Sequence, residues 1–221
     1  LHKAIRRQRQ MCIRDRFNKE SMYEVSKKII LLCIPLLLSA QFIAGILNEA
    51  LDLTDTNQEL FISMSHNIFG VLSIAIVVPI LEEVLFRGAI EGHLLRKGWS
   101  PKWAILVSAL IFGIIHGNPA QIPFAFLIGL LFGWLYYRTG SLVPGIVGHI
   151  INNSFGAWTM FTATREELSQ TTMETLGTTI TYILLVLAII VFIGMYLYLN
   201  KYLPKPTNIQ VKAINEQDIT I

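Results

Sequence analysis

The chain is divided into long apolar runs separated by shorter polar stretches, and the length of each run decides what it can be. Crossing about 30 Å of hydrocarbon at about 1.5 Å per residue takes roughly 20 apolar residues in a helix. Residues 27–47, 68–85, 121–137, 142–161 and 178–199 meet or approach that length. A shorter run, Pro101–Ile115, stops at the helix-breaking Gly117-Asn118-Pro119. The second helix is expected to continue past its apolar part to about Arg96. These runs predict an all-α, polytopic transmembrane helix bundle of about six spans, with no internal repeat and no soluble domain.

Charge orients the bundle. Lys and Arg concentrate in residues 1–20, between Arg87 and Lys102, at Arg138 and in the tail 201–212. The stretches 48–67 and 162–177 read as polar loops and carry seven acidic residues against the single Arg165. The positive-inside rule then puts both termini in the cytoplasm, which requires an even number of spans. Residues 1–20 are polar and basic, and QMCIRD within them resembles translated adaptor sequence, so they are set aside from the fold. Taken as part of the protein, they are a basic cytoplasmic tail.

Composition agrees with the run lengths. Of 221 residues, 53% are hydrophobic and 15% charged, against about 25% charged in soluble domains. Mean hydropathy is +0.53. Cys12 and Cys33 give neither a disulfide framework nor metal-ligand spacing. The net charge of +3 reads as an orientation signal, and no nucleic-acid partner is expected. Small residues at Gly113 and Gly117, and at Gly129 and Gly133, have the spacing that lets membrane helices approach closely.

Three polar groups interrupt the apolar helices, where an ionisable side chain is costly unless it is paired or faces a polar cavity. In the first, Glu83 and Arg87 are four apart and can pair on one helix face. Glu82 is rotated about 100° away, which leaves it free for chemistry. The second is His116, with Phe112 one turn earlier as an aromatic wall. The third is His149 and Asn153, four apart on the fifth span, two converging hydrogen-bond donors. Each has a plainer reading, as an interfacial ion pair, a packing histidine and interhelical polar glue. Together they supply what peptide hydrolysis by activated water needs: a carboxylate base, imidazoles and an amide donor for the oxyanion. A cavity enclosed by helices two, three and five is expected to hold them.

The ordered triple EExxxR (Glu82 to Arg87), FxxxH (Phe112 to His116) and HxxxN (His149 to Asn153) resembles the CPBP family. These are the type II CAAX prenyl endopeptidases and their bacterial relatives in bacteriocin processing and immunity. The resemblance covers residues 71–161, and family members often carry more helices than six. It implies an intramembrane endopeptidase in which Glu82 activates water together with His116, while His149 and Asn153 form the oxyanion hole. Glu83 and Arg87 would hold the helix and the charge of the site, with Phe112 supporting. Members are commonly named metalloproteases, so zinc is a possible cofactor on Glu82, His116 and His149, although no HExxH is present. The organisation expected is a first helix and acidic outside loop over 21–67, a CPBP-like catalytic core over 68–161, an outside loop and last helix over 162–199, and a cytoplasmic tail over 200–221. The expected partners are the lipid bilayer and a membrane-embedded or membrane-proximal peptide or protein, and the expected place a bacterial cytoplasmic membrane. The alternative function is a bacteriocin immunity or regulatory membrane protein that acts by binding a partner.

Overall fold

The computed structural model describes residues 27–203. The basic tail 1–20, Cys12 and most of the tail 200–221 lie outside the described residues. Within them the fold is helical throughout, with no strand. In chain order the helices are α1 (Lys27–Glu49), α2 (Gln58–Ser65), α3 (Ile68–Arg96), α4 (Pro101–Ile115), α5 (Ile122–Thr139), α6 (Val143–Thr162), α7 (Arg165–Ser169), α8 (Thr172–Leu176) and α9 (Thr178–Tyr202). Each predicted span is therefore a helix. Four of them, α1, α3, α5 and α9, are both long and apolar enough to cross a membrane. The chain is an integral membrane protein.

Three expectations are corrected. The stretch 48–67 is not simply a loop, because it contains α2, a two-turn helix whose Phe61 and Met64 turn inward onto the cavity described below. Helix α3 is not a regular α-helix but widens into π-helix over Ser73–Val77 and again over Val84–Glu91. Of the paired glycines, Gly113, Gly129 and Gly133 sit where an added Cβ would come within 2.6–3.0 Å, or at Gly129 3.1 Å, of a neighbouring helix. Gly117 instead has φ +62° and open space around it. It serves the turn, a conformation that costs other residues a Cβ clash.

Two packing units result. Helices α4 and α5 lie against each other and against α3, with Ser108 Oγ donating to the Phe86 carbonyl at 2.9 Å. Helices α1 and α9 pair on the other side, burying Cys33, Leu36, Leu37 and Leu199 with Leu131 and Leu135 of α5. The N-terminal helix is thus part of the scaffold of the core. Gln41 Nε2 donates to the Gly148 carbonyl of α6 at 3.1 Å, and Leu37 leaves no room for a Cβ at Gly148. Buried Arg138, at the end of α5, bonds Asn200 and donates to the Leu203 carbonyl at 2.8 Å. It thereby satisfies terminal carbonyls of α9 that have no partner within the helix.

The acidic stretches are structured locally. Thr164 with Glu167, and Thr171 with Glu174, form capping boxes that start α7 and α8. The backbone N–H of each threonine, with its hydroxyl, holds the paired carboxyl below the usual range. Arg165 grips both oxygens of Glu59 and lowers that carboxyl as well, chiefly by hydrogen bonding. Both side chains of this pair are largely exposed, so it adds little to stability.

Candidate active site

The two adjacent glutamates of α3 have separate environments. Glu83 is 1% exposed and its Oε1 accepts from Arg87 Nη1 at 3.0 Å. Arg87, equally buried, also donates to the Gly129 carbonyl of α5 at 3.1 Å and lies 4.4 Å over the Phe112 ring. A buried guanidinium is tolerable because a carboxylate, a carbonyl and an aromatic face each meet part of its charge. One residue earlier, the Glu82 side chain is 21% exposed and turns to a cavity.

His149 of α6 bridges the two carboxyls. Its Nδ1 is 3.1 Å from Glu83 Oε1 and its Nε2 is 3.4 Å from Glu82 Oε2. Glu83 already accepts from Arg87 as an anion, so the His149 Nδ1–H is the donor in that contact. Nε2 and Glu82 are then left facing each other across a gap that one proton can bridge. His116, at the end of α4, has Nδ1 2.7 Å from the Phe112 carbonyl. A carbonyl only accepts, so Nδ1 carries a hydrogen and the neutral ring keeps an Nε2 lone pair. Phe112 meets Phe86, His116 and His149 edge-on at centroid distances of 5.0, 5.0 and 5.7 Å. It fixes the planes of both imidazoles by contact.

Asn153 lies one turn beyond His149. Its Nδ2 donates to the Ile74 carbonyl of α3 at 2.9 Å, and its Oδ1 accepts from Asn152 Nδ2 at 3.1 Å. A carboxamide has two N–H donors, so one remains. Glu82, His116, His149 and Asn153 all line a single cavity of about 570 Å³. Its walls come from α1, α2 and α5 as well as α3, α4 and α6, and are mostly apolar. The enclosure is thus wider than the three helices expected.

Residues 64–155 match the family model described as type II CAAX prenyl endopeptidase, Rce1-like. This core is similar to the Rce1-like family. Named bacterial proteins are similar over part of the chain. The putative membrane peptidase YdiL of Bacillus subtilis is 38% identical over 81 residues, which are 37% of this chain and 33% of that protein. The membrane-embedded CAAX protease MroQ of Staphylococcus aureus is 33% identical over 106 residues, 46% of this chain and 42% of its own. The UPF0177 protein YxdF of Lactococcus lactis is 28% identical over 122 residues, 55% and 63% of the two chains. The chain spans between a third and just under two thirds of the length of these relatives. No solved structure matches it.

Among the described residues, no three His, Cys, Asp or Glu side chains are disposed to hold a metal ion. As arranged here, Glu82, His116 and His149 do not form such a group.

Motif reasoning missed two neighbours of this site. Glu91 continues the face of Glu83 and Arg87 at the same spacing of four, yet is fully buried with neither carboxyl oxygen hydrogen-bonded among the described residues. It makes no hydrogen bond to Arg87 although the spacing is the same, something spacing alone does not reveal. Asn118, also fully buried, donates to Asp55 Oδ1 at 2.7 Å and accepts from the Thr56 N–H at 3.1 Å. It ties the segment before α2 to the turn after α4, on the wall of the cavity.

Proposed function

We propose that this chain is an intramembrane endopeptidase that hydrolyses a peptide bond of a membrane-associated protein or peptide with water activated by Glu82. The observation that carries the reading is the convergence of Glu82, His116, His149 and Asn153 on one cavity, beside a buried Glu83–Arg87 pair. Glu82, with His116 beside it, takes a proton from water as the oxygen attacks the scissile carbonyl. His149 Nε2–H and the remaining Asn153 N–H stabilise the oxyanion. The C–N bond then breaks, and the proton held at Glu82 passes to the departing amine. Glu83 takes no proton in this scheme. Paired with Arg87, it anchors the Nδ1 side of His149 and so orients Nε2 toward the reacting atoms.

The apolar cavity walls suit a substrate that is itself membrane-embedded or membrane-proximal, in a bacterial cytoplasmic membrane with both termini of this chain on the cytoplasmic side. A zinc mechanism and the glutamate mechanism make different predictions for purified protein in detergent micelles acting on a membrane-tethered peptide. Cleavage is expected to survive a zinc chelator unchanged. Loss of cleavage on chelation, restored by added zinc, would assign the water's activation to a metal instead.

A further inference from the structure

Helix α3 widens just before the paired glutamates, and the cause lies at Pro79. In the π segment Ser73–Val77, the Val78 N–H donates five positions back to the Ser73 carbonyl. The next bond in that register would run from residue 79 to the Ile74 carbonyl. Residue 79 is a proline, which has no N–H and whose ring also crowds the carbonyl four positions back. The tighter α register is therefore opposed and the Ile74 carbonyl is left without its backbone donor. A buried carbonyl needs a partner. Its partner is Asn153 Nδ2 at 2.9 Å.

Ile74, Val78 and Glu82 follow one another at spacing four, and all three line the cavity. The carbonyl that holds Asn153 is thus on the same helix face as the carboxyl that faces the substrate. Helix α6 packs along this π segment, so the bond also sets the distance between the helix bearing Glu82 and the helix bearing His149 and Asn153.

We propose that Pro79 is a positioning residue: by withholding an N–H it keeps the Ile74 carbonyl available, and that carbonyl orients the Asn153 carboxamide with its second N–H toward the cavity. The inference rests on the reading of Asn153 as an oxyanion donor. In Pro79→Ala the helix can close to the α register, the Val78 N–H moves to the Ile74 carbonyl, and Asn153 loses its anchor. Alanine is the most helix-compatible replacement, so the variant is expected to fold.

The test uses the full chain in detergent micelles with a membrane-tethered peptide, comparing wild type, Pro79→Ala, Asn153→Ala and the double variant. Pro79→Ala is expected to lower kcat about tenfold, roughly one hydrogen bond's worth of transition-state stabilisation, with KM and melting temperature near wild type. Asn153→Ala is expected to lower kcat about 10²-fold. The double variant should be no slower than Asn153→Ala alone, because both changes act through one group. Effects that multiply, or a Pro79→Ala effect confined to KM, would overturn the proposal. A second readout does not need activity. The Asn153 side-chain amide proton, identified in the NMR spectrum by its loss in Asn153→Ala, is expected to move upfield in Pro79→Ala as its bond breaks. An unmoved resonance refutes the positioning role even if cleavage is normal. A moved resonance in a chain that cleaves nothing upholds the anchoring of Asn153 and sinks only the protease reading.

Discussion

Glu82→Gln is expected to remove cleavage by a factor of about 10²–10⁴, the usual worth of a general base, while the protein still folds. Glutamine keeps the shape of the side chain and can still hydrogen-bond to His149 Nε2, 3.4 Å from the present carboxyl. It cannot take a proton from water. Glu82 is partly open to the cavity, so the exchange strands no buried charge. The measurement is single-turnover cleavage by purified variants, with melting temperature as the control. A variant that cleaves at the wild-type rate would move the base elsewhere, with the His116 Nε2 lone pair the next candidate.

Arg87→Ala is expected to cost stability and activity together. It leaves Glu83 buried with only the His149 Nδ1–H as a hydrogen-bond partner, and it opens the space now filled against Phe112 and Phe132. Breaking a buried ion pair by removing one partner costs about 3–5 kcal/mol, a large share of the stability of a typical domain. Little folded protein is expected, with a lowered melting temperature in what remains. The paired replacement Glu83→Leu with Arg87→Met separates the two losses. Removing both charges is often neutral for stability, so folded protein should return. Cleavage should not return, because His149 Nδ1 then lacks the carboxylate that orients the ring. Recovery of full activity in the paired variant would show that Glu83 and Arg87 serve the fold alone.

The contrast between these two variants rests on a difference that was readable from spacing. Residues four apart share a helix face and adjacent ones do not, which separates the Glu83–Arg87 pair from Glu82. That separation holds although the turns there are π rather than α, with the Glu83–Arg87 contact kept at 3.0 Å. The helices themselves were legible because a span must be long and apolar whatever its neighbours are. Helix α2 was not, since two turns flanked by polar residues look like a loop until Phe61 and Met64 are seen to face the cavity. The capping boxes of Thr164 and Thr171 were legible signals of helix starts, though the reading by charge alone treated 162–177 as loop.

The contacts within the site were less accessible. Nothing in HxxxN states that both nitrogens of His149 meet carboxyls, or that Asn153 spends one N–H on a carbonyl of another helix. These depend on how α6 packs along α3, and helix packing is set by side chains far apart in the chain.

The central claim is that this chain cuts peptide bonds, and new peptide ends report it most directly. Membranes containing either the wild-type chain or Glu82→Gln at equal folded levels are to be surveyed for protein N-termini. New N-termini that appear with wild type alone, mapping within or beside a membrane segment of another protein, are the predicted result. They would identify the substrate in the same experiment. Identical sets of N-termini from the two membranes would contradict the account and leave a chain that acts by binding a partner.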